Sequence, residues 1–379
     1  MRILMILPRL PGTISDGGDL WAATIIGSLQ RNGRDVHLIG YRTSTGESGP
    51  QVDAVDFGEF RTRLAPARAL FWGLQSLVAG RPYTVQKWRT GRLERILRAR
   101  LVQGKWDAAI VYGAAMSWTI PLLKGLPFVH VSAEPVDALY ASAAQRKRWP
   151  LSSIFAREAK LLARAERAMV ARAVESWCIT QRDADHYRRS GASRLRVLTP
   201  LSRPEWAQES FSDVPTHDLV MLGNWVWRPN RIALQDFLSQ VVPLLPRSWR
   251  IVIGGMLPNG RFDAPDNVSL VGPVIAPCAF LRSGKRIAVP STSVVGFNTK
   301  LLDAIAAGRP VVASKAALDL AGPVPSHVRG ADDPASFAAA LQDAPTADPE
   351  EIRLWMIARR ESLDEAVQAG MAHIRRGNE

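Results

Sequence analysis

The chain has 379 residues, of which 47% are hydrophobic and 22% charged, and its net charge is +13. This is length enough for two domains with separate cores, and the composition is that of an ordinary soluble globular protein. Cys178 and Cys278 fit no metal-ligand spacing and point to a reducing compartment, and no apolar run reaches the length of a membrane span. Residues 2–7 read as a buried strand, because they are short and flow directly into a Pro-Gly loop, unlike a signal peptide. A helix over 20–32 and a strand over 35–40 follow, with Gly33 marking the helix end. Residues 68–79 form an apolar helix and 90–103 a helix dense in arginine. Strands are expected over 108–112 and 128–132, with a helix near 118–123 between them. A long two-faced helix over 152–173 precedes strands at 176–180 and 196–199. The polar, proline-containing stretch 200–215 marks a boundary. Beyond it the pattern restarts with a strand at 218–222, a helix at 230–245 and strands at 250–254, 268–271 and 287–290. A helix over 300–307, a strand over 310–313 and helices over 334–342 and 349–375 complete the chain. Strands alternating with helices imply parallel, doubly wound sheets, so the fold class is α/β with two Rossmann-like domains in succession. Their bounds are 1–200 and 201–379, with the C-terminal helix packing back on the first domain.

The charge is divided unevenly. Residues 1–200 hold 30 Lys and Arg against 16 Asp and Glu, whereas residues 201–379 hold 18 against 19. A cationic first domain suits anionic lipid headgroups, nucleic acid or a phosphorylated acceptor, although arginine also decorates ordinary soluble surfaces. The density peaks over 61–100, where ten basic residues face only Glu94. Phe71, Trp72, Leu74 and Leu77 lie among them and Trp88 is placed as an aromatic anchor, so this region is expected to meet an anionic membrane. The alternative is that these apolar residues pack against the first sheet. No nucleic-acid recognition motif of the usual kinds is present.

Three segments carry candidate chemistry. Asp16, Gly17, Gly18 and Asp19 form a strand-to-helix loop in which Asp19 is a candidate N-cap; the spacing is not G-x-G-x-x-G, so dinucleotide binding has little support. The strand over 128–132 runs into H-V-S-A-E-P-V-D and places His130, Glu134 and Asp137 at or just beyond its carboxyl end. The third segment, residues 296–314, reads G-F-N-T-K-L-L-D-A-I-A-A-G-R-P-V-V-A-S. A loop with Phe297 and Asn298 leads into a helix with Thr299 as N-cap, and Gly308 ends it. The N–H groups and positive dipole end of such a helix, with Lys300 beside them, make an anion site. Asp303, one turn in, is placed for polar groups such as ribose hydroxyls.

This last segment resembles the nucleotide-binding helix of glycosyltransferase family 4 and its GT-B relatives, roughly N-K-x-x-E-A-x-A-x-G-x-P-V-V-A-S. Lys300, Ala304, Ala306, Gly308 and 310–314 match. Asp303 stands for the ribose-binding glutamate, and the family's other glutamate falls at Val295. A bacterial exopolysaccharide branch of the superfamily is similar in two further places. One is Y-A…W-P…R-E-A-K-L-L-A-R-A-E-R after Asp137; the other is the loop G-N-W-V-W-R-P-N, which begins at Gly223 and Asn224. Gly272 and Val274 resemble the segment whose backbone meets the nucleotide base. The resemblance implies the GT-B arrangement, with both sheets facing a cleft, and a retaining glycosyltransferase with a UDP- or GDP-linked sugar donor and no essential metal. It implies donor contacts from Gly223, Asn224, Gly272, Val274, Phe297, Asn298, Thr299, Lys300 and Asp303, with the Asp16–Asp19 loop over the acceptor or donor. Two carboxylates beside a histidine fit the few, well-placed polar groups that an oxocarbenium-like transition state needs. The acceptor implied is lipid-linked or a saccharide, in surface-polysaccharide assembly on the cytoplasmic face of the plasma membrane. The alternative that Val295 raises is a catalytically weak homologue serving as a binding or scaffold partner.

Overall fold

The computed structural model describes residues 1–12, 17–42, 51–56, 65–203, 206, 214–258, 263–291 and 297–376. The chain divides into two compact units, residues 1–200 with 361–379, and residues 201–360.

In the first unit the order is β1 (Arg2–Arg9), α1 (Gly17–Arg31), β2 (Asp35–Arg42), β3 (Val52–Asp56), α2 (Ala65–Ala79), α3 (Tyr83–Trp88) and α4 (Gly91–Gln103). Then come β4 (Ala108–Tyr112), a 3-10 helix (Ala114–Leu122), β5 (Phe128–Val131), α5 (Val136–Gln145), α6 (Leu151–Val170), β6 (Glu175–Cys178), α7 (Gln181–Arg189) and β7 (Leu195–Val197). Its seven described strands pair in parallel in the order β3-β2-β1-β4-β5-β6-β7. Ile3 to Leu7 are fully buried on both faces, as a central strand of a parallel sheet requires. The order reverses between β1 and β4, and that is where a ligand crevice opens in a doubly wound sheet.

The second unit repeats this plan with β8 (Leu219–Asn224), α8 (Arg228–Asp236), β9 (Ile251–Met256), β10 (Val268–Val271), α9 (Pro277–Arg282) and β11 (Ile287–Val289). It continues with α10 (Thr299–Ala306), β12 (Val311–Ser314), α11 (Lys315–Leu318), β13 (Val328–Ala331) and α12 (Pro334–Gln342), and α13 (Pro349–Arg376) closes the chain. The six described strands run parallel in the order β10-β9-β8-β11-β12-β13, so the switch point lies between β8 and β11. Helix α13 belongs to both units. Its early part bonds to the second through Trp355 Nε1 to Pro323 O (2.9 Å) and Arg359 Nη1 to Ala321 O (2.8 Å). Its later part bonds to the first through a two-pronged Arg31–Asp364 pair, 2.8 Å on each prong. Gly370 lies so close to Trp177 that a Cβ there would stand 2.7 Å from the indole.

Local differences from the sequence reading have chemical causes. The strand expected to reach residue 180 stops at Cys178, because Thr180 caps α7 by accepting from Asp183 N at 3.1 Å. The helix expected over 230–245 stops at Asp236 and continues as a π turn and a 3-10 turn, where Pro243 lacks an N–H. The helix near 118–123 is a 3-10 helix with Pro121 inside it.

Candidate active site

At the switch point of the second unit, β8 ends in Gly223 and Asn224, and α10 begins beyond β11. Lys300 Nζ donates to Asn230 Oδ1 at 2.9 Å, and Asn230 Nδ2 donates to the Asn224 carbonyl at 3.0 Å. These bonds tie the start of α10 to the β8 loop, so the structure brings Gly223, Asn224 and Lys300 together. The ammonium of Lys300 also sits 5.3 Å from the centre of the buried Trp225 ring, and burial pushes its pKa down to about 8. Trp225 is a packing residue: its Nε1 donates to Gly254 O at 2.9 Å. Trp227, at the N-cap of α8, is exposed.

The glycines here are needed for close approach. Gly255 has φ +118°, and a Cβ on it would lie 1.8 Å from the Gly223 carbonyl oxygen. Its N–H donates to Gly272 O at 2.8 Å, which fixes the ends of β9 and β10 side by side. Val274 fills the space over Gly254, where a Cβ would meet its Cγ2 at 2.6 Å. Gly223 has a packing reason of its own, since a Cβ there would press on the Trp225 ring at 2.9 Å. Phe297, Asn298 and Thr299 are half-buried at the mouth of α10. Asn298, not Thr299, occupies the N-cap and its side chain makes no capping bond, although Thr299 N donates to Phe297 O (3.2 Å) and Leu301 N to Asn298 O (3.0 Å). Gly308 has φ +72° and ends the helix as expected. Val295 lies outside the described residues.

Asp303 is buried and its carboxylate is engaged within the protein. Oδ1 accepts from Arg203 N (3.1 Å) and Trp206 Nε1 (2.9 Å), and Oδ2 accepts from Arg203 Nε (2.9 Å). Arg203 and Trp206 are partners that sequence reading missed. A buried aspartate on an otherwise apolar helix face was the available signal.

In the first unit the switch point holds the start of α1. Tyr112 Oη, at the end of β4, donates to Gly18 O at 2.9 Å. Gly17 opens α1, so Asp19 lies inside the first turn and is not the N-cap. It pairs with Arg9 at 3.0 Å. Asp16 lies outside the described residues.

His130 departs from its expected place at the strand end. It is fully buried, because strand alternation turns it toward Ser176 and Tyr187. Nδ1 is 3.3 Å from Ser176 Oγ, and the ring meets Tyr187 edge-on at 5.1 Å. Desolvation drives its pKa to about 3, so it is neutral. Glu134 is half-buried, and its carbonyl accepts from Ser132 Oγ at 2.9 Å. Asp137 stands in the first turn of α5. It lies 2.9 Å from His186 Nε2 and accepts from Ala138 N at 2.7 Å; these contacts hold its carboxyl below the usual range despite burial.

The buried Glu166 completes this group. Its Oε1 accepts from Val136 N at 3.1 Å, at the start of α5, and burial together with the Asp137 charge raises its pKa to about 9. One helical stripe of α6 carries a second buried glutamate, Glu158, which accepts from Tyr83 N (2.9 Å) and Thr84 N (2.8 Å) at the start of α3. Both glutamates thus serve helix starts. Sequence reading passed over Glu166 and His186; the signal was an acid recurring eight residues after Glu158 on the apolar face of α6.

Residues 216–345 match the family model of Glycosyl transferases group 1. Among solved structures the chain resembles TarM of S. aureus, in a complex with fondaparinux, α-GlcNAc-glycerol and UDP. The TM-score is 0.59 at 9% identity, over 98% of this chain and 99% of that one. HepE of Anabaena, in complex with UDP and glucose, aligns with TM-score 0.58 at 12% identity over 99% and 98%. AviGT4, a glycosyltransferase involved in avilamycin A biosynthesis, aligns with TM-score 0.56 at 13% identity over 99% and 97%. No curated protein matches by sequence. The fold is GT-B, and the match to the group 1 glycosyltransferase model lies within the second unit.

Proposed function

We propose that this GT-B glycosyltransferase moves a sugar from a UDP- or GDP-linked donor to a lipid-linked or saccharide acceptor, with retention, in surface-polysaccharide assembly. One observation carries the donor assignment: Lys300 and the uncapped start of α10 converge with Gly223 and Asn224 at the switch point of the second sheet. As the bond from the sugar to the diphosphate breaks, negative charge collects on the leaving oxygens. The Lys300 ammonium and the α10 dipole oppose that charge, and the burial that lowers the lysine pKa also strengthens its field. In this reading they supply the positive charge, and no essential metal is assigned. The nucleotide in the HepE and TarM complexes is UDP, which favours a uridine donor. Phe297, Thr299, Gly272 and Val274 surround the nucleotide. Asp303 meets ribose only through the groups that it already holds. In the first unit Glu134 is the acceptor-side carboxylate, while Asp137, held by His186 and Ala138 N, and the buried His130 shape the scaffold behind it.

The exposed face of α2 supports work at an anionic membrane. Leu70, Phe71, Leu74, Leu77 and Val78 are all exposed, and the one described buried residue of the helix is the polar Ser76. That is the reverse of a helix packed on a sheet. Trp88, in contrast, packs on Tyr41 with ring centres 5.4 Å apart and is not an anchor. None of the described helices is long and apolar enough to cross a membrane, so attachment in this reading is peripheral, on the cytoplasmic face. Incubation with a panel of nucleotide sugars, with product anomers read by NMR, tests the transfer. Donor-dependent release of UDP or GDP is expected, and a chain inert toward every donor and acceptor would overturn the assignment.

A further inference from the structure

A cavity of about 400 Å³ lies in the first unit, where α3, α4, the 3-10 helix and the end of α6 meet. Its floor is apolar and includes Val85, Trp118 and Ile120, all nearly buried. Its rim carries Arg81, Arg89, Arg98 and Arg172, with Glu94 as the one acid lining it. Arg89 and Arg98 share Glu94, at 3.1 and 2.7 Å. The side chains of Arg81 and Arg172 pair with no carboxylate among the described residues, so the rim keeps a surplus of positive charge beside an apolar floor.

The cavity is joined mechanically to the exposed face of α2. Ser76 Oγ donates to Arg81 O at 2.7 Å, and Arg157 grips Ser76 through its Oγ (3.0 Å) and carbonyl (2.7 Å). This fixes Arg81 directly after Leu77 and Val78, the latter 90% exposed. The exposed apolar side chains of α2 and the arginine-rimmed cavity are thereby joined through Ser76 and Arg81, which suits a ligand with an anionic head beside apolar chains. Planar guanidinium forks match phosphate oxygens two at a time, and the floor accepts glycerol and the first acyl carbons, which inorganic phosphate cannot use.

We infer that this cavity binds the phosphate headgroup of an anionic amphiphile and so seats the enzyme on its membrane. The inference deepens the membrane reading above, and the test separates the two. Calorimetry with short-chain phosphatidic acid below its micelle concentration probes the cavity without a bilayer. Co-sedimentation with phosphatidylcholine vesicles, with and without phosphatidic acid, probes the membrane. The wild-type chain should bind the soluble lipid at least tenfold more tightly than inorganic phosphate. Arg81→Gln with Arg172→Gln should weaken that binding about tenfold or more, while Arg95→Gln, at an exposed position outside the cavity, should leave it unchanged. Leu74→Ser with Leu77→Ser should abolish vesicle binding and spare the soluble lipid. Equal binding of inorganic phosphate would reassign the cavity to a free anion. No binding of the short-chain lipid, or equal binding by the double arginine variant, would overturn the proposal. Soluble-lipid binding without vesicle binding would sink the membrane reading and leave the cavity assignment standing.

Discussion

The carboxyl ends of the two parallel sheets spend their polar groups differently. In the second unit Lys300 is held by a neutral amide, Asn230, and faces no carboxylate in its described contacts, so its charge remains available to a ligand. In the first unit the acids at the carboxyl end of β5 are absorbed into the fold: Asp137 by His186 and its own helix start, Glu166 by the start of α5. In the proposed donor site the cation stays uncompensated, whereas Asp137 and Glu166 are each held by partners within the fold. Asp303 is the instructive exception. It stands on α10 in the segment proposed to meet the nucleotide, yet its carboxylate is paired with Arg203.

The largest expected effect tests that exception. Asp303→Ala strands the Arg203 guanidinium and the Trp206 N–H, and removing one partner of a buried pair costs about 3–5 kcal/mol of stability. Urea unfolding measures it. If the variant keeps its stability and loses only donor affinity, Asp303 belongs to the ligand and the exception disappears. Lys300→Ala comes next. It should weaken UDP binding by about 1.5–3 kcal/mol, the scale of a charge-assisted hydrogen bond, with little change in stability. An unchanged dissociation constant in calorimetry would remove Lys300 from the donor site. Glu158→Gln sharpens the scaffold side. Its amide still accepts from one of the two N–H groups at the start of α3, so a loss of about 1 kcal/mol with unaltered donor binding is expected. A donor-binding defect would mean that α6 is coupled to catalysis.

Much of this was legible in the sequence. The parallel doubly wound sheets followed from alternation of apolar strands with helices, and the helix that carries Lys300 at its start followed from its glycine boundary. What could not be read was pairing at long range. Nothing local marks Arg203 as the partner of Asp303 a hundred residues on, or His186 as the partner of Asp137. His130 looked catalytic because its neighbours in sequence are polar, but strand alternation points it the other way, into a pocket closed by Tyr187. Helix α2 was ambiguous for the opposite reason: hydrophobic periodicity identifies a face and is silent on whether protein or lipid covers it.

Glu166 gives the effect that begins at zero and grows with alkalinity. The native state holds its proton up to about 9, against 4.5 for an ordinary glutamic acid. Between those values the native state binds more protons than the unfolded chain, so stability is full below about 4.5 and falls as pH rises toward 9. Glu166→Gln keeps a carbonyl for Val136 N and an N–H toward Asp137, in the shape of the protonated acid. Its Tm should match the wild type near pH 4.5 and exceed it increasingly above neutrality. His130 supplies a control of opposite sign. Neutral in the native state down to about 3, it makes stability fall as pH drops from 6.5 toward 3, so above 6.5 the slope belongs to Glu166 and below 4.5 to His130. Parallel Tm profiles for Glu166→Gln and wild type between about pH 4.5 and 9 would mean that Glu166 is ionised in the fold. Glu166 would then be as uncompensated as Lys300, and the contrast between the two sheet ends would fail.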